Sequence, residues 1–330
     1  MKRCLWGLLL LTLLTGCSLV DAAVVVTPMP SSTPTLVATP TRTATPTASS
    51  TPTETPTATT TPTPTETPTP TATPSPTATS TQTPEPTPTY PPPPEALHVP
   101  ILMYHYVSDL PPDADSLRRG LTTEPADFEA QLQYLKAAGY ETVLLKDLYD
   151  ALTLGKPLPE RPIVLTFDDG HKDHFTDVLP LLQKYDYVGE FFVLATPAHF
   201  EAEAYMTWAE VHALAEAGMA VQGHGRDHYD LRNRDYDFLV YQILGIKEAV
   251  EAHTDQTVTF FCYPAGKYDQ DVLTVTESAG YLGGVTTEWG ATQTLDNRFT
   301  WPRIRVRGGW SLESYVEILQ ELDELRVDQE

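Results

Sequence analysis

The sequence predicts an α/β fold: a (β/α) barrel, distorted or seven-stranded, set behind a disordered Thr/Pro-rich stalk. Three observations carry this expectation. From Val99 onward, short apolar runs alternate with segments of helical period, the mark of repeated βα units. Polar residues with chemical potential fall just after several of those runs, where parallel βα architectures gather their ligands. The composition also breaks near residue 95: twenty of the 31 prolines lie between Pro28 and Pro94, among threonines and almost no large apolar side chains. Such a tract cannot bury enough surface to offset the entropy of ordering.

The chain opens with Lys2 and Arg3 ahead of the apolar run Leu5 to Leu14, which is too short to span a bilayer and has the layout of a secretory signal. Leu14, Thr15, Gly16 and Cys17 then resemble the lipobox of bacterial lipoproteins. The resemblance implies a signal peptide over 1–16, lipid on Cys17, and a domain held at the membrane on the extracellular or periplasmic side. Two acyl groups and more suffice for stable attachment, at about 0.8 kcal/mol per buried methylene. The tract over 17–95 reads as a tether, because proline favours the polyproline II conformation at about 3.1 Å per residue. The remaining residues, 96–330, suit one domain.

Of the net charge of −23, only −2 lies before residue 96. Binding to a phosphate backbone requires clustered Lys and Arg, so a nucleic-acid partner is not expected and a neutral or cationic ligand is. Among the three cysteines, Cys4 goes with the signal and Cys17 with lipid, which leaves Cys262 without a disulfide partner. The domain is expected to act as a monomer.

Strands are expected over Ile101 to Tyr104, Thr142 to Leu145, Ile163 to Phe167, Glu190 to Leu194, Ala220 to Gly223, Thr259 to Tyr263, Tyr281 to Thr286 and Arg303 to Val306. The clearest helix begins near Pro125, sets Phe128, Leu132 and Leu135 on one face, and ends before Gly139. Others fit His174 to Tyr185, Thr207 to Ala217, Asp235 to Ala252, Asp269 to Ala279 and Ser311 to Leu325.

Four strand ends carry chemistry. Asp168 and Asp169 repel each other unless a cation intervenes, and Gly170 lets the chain turn sharply beside them. His224 and His228 can converge on one ion if their segment turns; with a carboxylate from another strand end they leave coordination positions open for water and substrate. In Tyr263-Pro264-Ala265-Gly266 the proline lacks an amide hydrogen, so the first free donor past the turn is that of Ala265, a candidate oxyanion contact. His105 closes the first strand.

These residues resemble the polysaccharide deacetylases with the NodB homology domain, carbohydrate esterase family 4, over Leu97 to Val306. Thr166 to Gly170 resembles the first motif of that family, His224 to His228 its second, and Tyr263 to Gly266 a variant of its third. The opening Val99 to His105 is similar to the branch containing the poly-β-1,6-N-acetylglucosamine deacetylases of biofilm exopolysaccharide. The resemblance implies a divalent ion held by Asp169, His224 and His228, Asp168 as general base, Ala265 and Tyr263 at the oxyanion and substrate, and His105 as a cationic general acid. Zinc is the first choice, with cobalt, manganese and nickel also compatible.

Two departures matter. Gly225 stands where the family has Ser or Thr, and the arginine of the third motif is absent before Tyr263; Arg303 is the candidate to orient the base in its place. The implied reaction is removal of N-acetyl groups from N-acetylglucosamine units of an extracellular polysaccharide, with peptidoglycan or chitin oligomers as alternative substrates. A non-haem iron oxygenase and a silent glycan-binding lipoprotein are the competing classes.

Overall fold

In a computed structural model of the chain, residues 90–327 are described. The signal-like segment, Cys17 and the Thr-Pro tract up to residue 89 lie outside the described residues. Eight strands form one sheet: β1 (Ile101–Tyr104), β2 (Glu141–Thr142), β3 (Pro162–Phe167), β4 (Glu190–Val193), β5 (Ala220–Gly223), β6 (Phe260–Cys262), β7 (Gly283–Val285) and β8 (Ile304–Arg305). Seven run in the order β7-β6-β5-β4-β3-β1-β8, every pairing is parallel, and short β2 pairs with β3. The curled sheet nearly closes. Trp301, just ahead of β8, donates from its amide to Gly284 O at 2.9 Å, and Thr286 N donates to Trp301 O at 3.0 Å, so the edge strand β7 is stitched to the far end of the order.

The helices α1 (Pro125–Ala137), α2 (Leu145–Leu154), α3 (Leu179–Tyr185), α4 (Trp208–Glu216), α5 (Tyr236–Thr254), α6 (Gln270–Ser278) and α7 (Leu312–Val327) fall between or after the strands. Helix α1 shows why: Pro125 opens its first turn, and the stripe Phe128, Leu132 and Leu135 is fully buried. Gln131 lies on the same stripe, where its Oε1 accepts from Tyr104 Oη at 2.9 Å. Side-chain caps from Thr207, Asp235 and Asp269 start α4, α5 and α6.

Alternation along the strands divides the core in two. Outward residues such as Leu102, Leu165, Phe191, Val221 and Phe261 pack in the larger apolar cluster with the helices. Inward residues Ile101, Val164, Phe192, Phe260, Val285 and Trp301 fill the barrel interior.

The structure differs from the sequence expectation at several ends. The strand predicted through Leu145 stops at Thr142, because Leu145 opens α2 and Asp147 Oδ2 accepts from Leu144 N at 3.0 Å. The helix predicted from His174 begins as a wider π-type turn, His174–Val178. That turn places the fully buried His174 ring so that Nε2 donates to His105 O at 2.5 Å. Helix Ser116–Leu121 was not foreseen; it buries no residue and so carries no apolar stripe.

Trp301 is fully buried and stacks on Phe260 at 5.4 Å. Trp301→Ala is expected to lower stability by about 3–5 kcal/mol in urea unfolding, because it opens a cavity at the seam that closes the barrel. A loss below about 1 kcal/mol would show that the seam is held by its backbone alone.

Candidate metal centre

Register puts the chemistry on one rim. Tyr104 pairs with Phe167, Val193 with Gly223, and Cys262 with Val285, so the residues that follow them leave the same end of the barrel. Two ladder bonds continue one step further: Asp168 N donates to Tyr104 O at 2.9 Å, and His224 N donates to Val193 O at 3.0 Å. The strand ends then bend into strained turns. Asp169 has φ 78, His228 φ 54 and Ala265 φ 53, left-handed values that non-glycine residues rarely adopt.

Asp169 lies between three imidazoles. Its Oδ1 is 3.2 Å from His224 Nε2 and 3.3 Å from His228 Nε2, and its Oδ2 is 3.3 Å from His171 Nε2. The His224 tautomer follows from its other nitrogen: Nδ1 faces Cys262 O at 2.8 Å, and a carbonyl can only accept, so Nδ1 carries the hydrogen. In the neutral ring, Nε2 is then a bare lone pair aimed at a carboxylate oxygen. Oδ1 of Asp169 is itself buried and without a hydrogen-bond partner. Two facing lone pairs repel unless a cation sits between them. The surroundings favour positive charge at this point: burial would lower the His224 pKa, yet Cys262, Asp169 and Asp168 raise it well above the ordinary histidine range, so without an ion the ring would take up a proton in its place. Asp169, His224 and His228 therefore fit a divalent cation, with one carboxylate and two imidazole ligands.

Asp168 is neutralised differently. It is almost fully buried, and Arg303 grips it with two bonds, Nη1 to Oδ1 at 2.8 Å and Nη2 to Oδ2 at 2.7 Å. Arg303 is in turn fixed by Thr286 O at 2.9 Å from Nε and Thr166 Oγ1 at 2.9 Å from Nη1. Burial would raise the Asp168 pKa, but the guanidinium reverses this and holds it well below the usual carboxylate range. A second trio able to hold a metal, Asp168, His224 and Cys262, is close enough in space. Arg303 already supplies the positive charge there, lying 3.2 Å from Cys262 Sγ as well.

Arg303, the candidate base-orienting residue named from sequence, reaches Asp168 from β8's side of the barrel. Cys262 is the residue immediately before Tyr263, where the arginine of the family motif is missing, and its Sγ donates to Asp168 Oδ2 at 3.4 Å. The loop after Gly225 is braced from α5: Gln242 Oε1 accepts from Arg226 N at 2.9 Å and Asp227 N at 3.1 Å, and its Nε2 donates to Asp227 Oδ2 at 2.7 Å. The φ of 85 at Gly225 would strain any side chain.

Two sequence expectations change. His105 was expected to be cationic. Burial instead pushes its pKa down to about 4, and the opposing pull of Asp168 and Asp169 does not overcome it, so the ring is neutral near pH 7. The Tyr263 side chain lies fully in the core against Phe261 at 5.3 Å, which leaves its backbone as the part near the site; its carbonyl accepts from Gly266 N at 2.8 Å. Sequence reasoning missed His171, buried and stacked on Tyr106 at 3.8 Å, although its place directly after Gly170 was a signal. Gln242, in the middle of a helix, gave none.

A parallel barrel with an Asp-His-His group beside an ionised aspartate has the parts a metal-assisted hydrolase needs. The family described as polysaccharide deacetylase matches residues 155–284. A Bacillus subtilis (strain 168) protein named as a polysaccharide deacetylase, YxkH, is 29% identical over 225 residues, covering 67% of this chain and 77% of that protein. The poly-β-1,6-N-acetyl-D-glucosamine N-deacetylase of Escherichia coli (strain K12) is 30% identical over 131 residues, 35% of this chain and 19% of that one. The structure of Streptococcus pyogenes deacetylase PplD in complex with acetate superposes with a TM-score of 0.62 at 27% identity, over 67% of this chain and 97% of PplD. The chain carries a polysaccharide deacetylase domain of the NodB, carbohydrate esterase 4, type.

Replacing Arg303 by Met leaves Asp168 buried without its counter-charge, and a loss of about 3–5 kcal/mol is expected at pH 7. The depressed Asp168 pKa fixes the sign with pH: the pair's contribution is full above the unfolded aspartate value near about 4 and fades as pH falls. Asp168 of the variant takes up a proton more readily, so urea unfolding curves of the parent and Arg303→Met should converge on acidification. A gap that widens instead contradicts the pairing.

Proposed function

We propose that this chain is a metal-dependent N-deacetylase that hydrolyses acetyl groups from N-acetylglucosamine units of an extracellular polysaccharide, exported and held to the membrane by lipid on Cys17. The observation that carries the reading is the unpartnered Asp169 Oδ1 facing two imidazole nitrogens, one step along the chain from a carboxylate kept ionised by Arg303. The name of the Escherichia coli relative supports the glucosamine polymer.

A divalent ion, zinc first among those that suit the ligand set, supplies a Lewis acid for the acetyl carbonyl and lowers the pKa of a water. The rest is done by side chains. Asp168 is always ionised near neutral pH and orients the attacking water through the carboxylate that Arg303 holds in place. It draws the proton off, but its basicity is low, so the proton does not rest there. His105 shares the field of Asp168 and is neutral, so its ring is free to accept the proton. Its ring takes the proton and gives it to the amide nitrogen as the C–N bond breaks. An amine leaves poorly until it is protonated, so this transfer governs collapse. The Ala265 amide, past the proline of the 3-10 turn Pro264–Gly266, is the donor assigned to the oxyanion. Acetate keeps the water oxygen, and a glucosamine unit remains on the polymer.

The all-parallel sheet sets the iron oxygenase alternative aside, since such centres sit on antiparallel double sheets. Acetate release from an N-acetylglucosamine oligomer by the full chain tests the proposal. Chelator should abolish it and added zinc restore it. Asp168→Asn should keep the ion while losing about 100-fold or more in turnover, and His105→Asn should keep the ion and slow the reaction. Oligomer binding with no acetate release from metal-loaded protein would leave a silent glycan-binding lipoprotein.

A further inference from the structure

The inner face of β8 continues outward from the catalytic carboxylate. Side chains two residues apart on an extended segment share a face and are spaced by about 7 Å. Trp301 fills the barrel interior and Arg303 grips Asp168; Arg305 and Arg307 follow at the same interval, while Ile304 and Val306 turn to the helix layer. Burial falls along the series: Arg303 is fully buried, Arg305 half-buried and Arg307 exposed. Arg305 pairs in register with Met103, two residues before His105, and its charge acts on both His105 and Asp168, so it stands at the catalytic mouth.

The facing wall is helix Ser116–Leu121, tied to this segment by Gly308 N donating to Gly120 O at 3.2 Å. Between them lies a cavity of about 150 Å³ lined by Ser116, Leu117, Gly120, Leu121, Arg305 and Arg307. Two neighbouring guanidinia repel each other, and a chain with 44 acidic residues has ample means to pair them. Arg161, Arg232, Arg298 and Arg303 each hold a carboxylate. Among the described residues, the guanidinium groups of Arg305 and Arg307 make neither an ion pair nor a hydrogen bond.

A pair of unspent guanidinium forks lining a small cavity at a catalytic mouth matches a planar anion. We propose that Arg305 and Arg307 form a subsite for a carboxylate carried by a sugar unit next to the one being deacetylated, so that the substrate is an acidic glycan containing N-acetylglucosamine. The inference rests on the deacetylase reading given above. It also refines the charge argument: the domain's net negative charge repels acidic polymers in general, while the arginine series admits one acidic substituent in one register. The cavity has room for a short substituent.

The test uses the full chain and matched oligosaccharides in which N-acetylglucosamine alternates with a carboxylate-bearing unit, either a lactyl ether or a uronic acid. Each is compared with its counterpart in which the carboxyl group is reduced to an alcohol, by acetate release and by titration calorimetry. The acid form should be favoured by about tenfold or more in kcat/KM and in Kd. That ratio should shrink with added salt and fall towards one in R305Q/R307Q, while R305K/R307K retains part of it. Whichever acid shows the larger ratio identifies the source of the carboxylate. Equal handling of acid and reduced forms overturns the subsite and leaves deacetylation standing, as does a preference that survives R305Q/R307Q. Tighter binding of the acid form without acetate release from any oligomer would overturn deacetylation and not the subsite.

Discussion

The site is built around one electrostatic constraint: two consecutive carboxylates, Asp168 and Asp169, are forced into a nearly dry rim by the strand that precedes them. Neither can be left as a bare charge, because burial of an isolated carboxylate costs far more than any local packing returns. The molecule answers each separately. A guanidinium from the edge strand two places along the sheet order takes Asp168. Asp169 turns away through a left-handed backbone and meets imidazoles from another strand end. The first answer is complete within the chain, and the second calls for a cation from outside it.

Closure of the barrel is what makes the first answer available. Arg303 follows Trp301, whose backbone joins β7 to the segment entering β8, and it can reach Asp168 only because β8 then lies against β1. The buried guanidinium also touches Thr286 O and Cys262 Sγ, so the ends of three different strands are drawn onto one group. Fold and site are therefore stabilised by shared contacts rather than stacked one upon the other. In the proposed mechanism, the low basicity this imposes on Asp168 leaves the neutral imidazole of His105 to carry the proton.

Much of this was legible in the sequence, and the limits have physical causes. Parallel βα units, the Pro125 helix and the four strand ends follow from periodicity and turn chemistry, which are local. The Asp-His-His grouping was readable because each partner sits directly after an apolar run, and a shared rim follows from parallel pairing. Arg303 could be named only as a candidate, because its partner is 135 residues away and a strand arginine carries no local mark of inward orientation. His105 was given the wrong charge because sequence shows the neighbouring carboxylates but not the burial that outweighs them. Gln242 braces the loop at Arg226 and Asp227 from the middle of a helix, where nothing in the pattern sets it apart.

The Asp169 pocket is where the account is most exposed. Anomalous diffraction at the absorption edge of the metal retained by the purified protein locates the ion directly. One strong peak within bonding distance of Asp169 Oδ1, His224 Nε2 and His228 Nε2 is the expected result. A peak on the Asp168, His224 and Cys262 side, or protein that retains no ion while still releasing acetate, would contradict it.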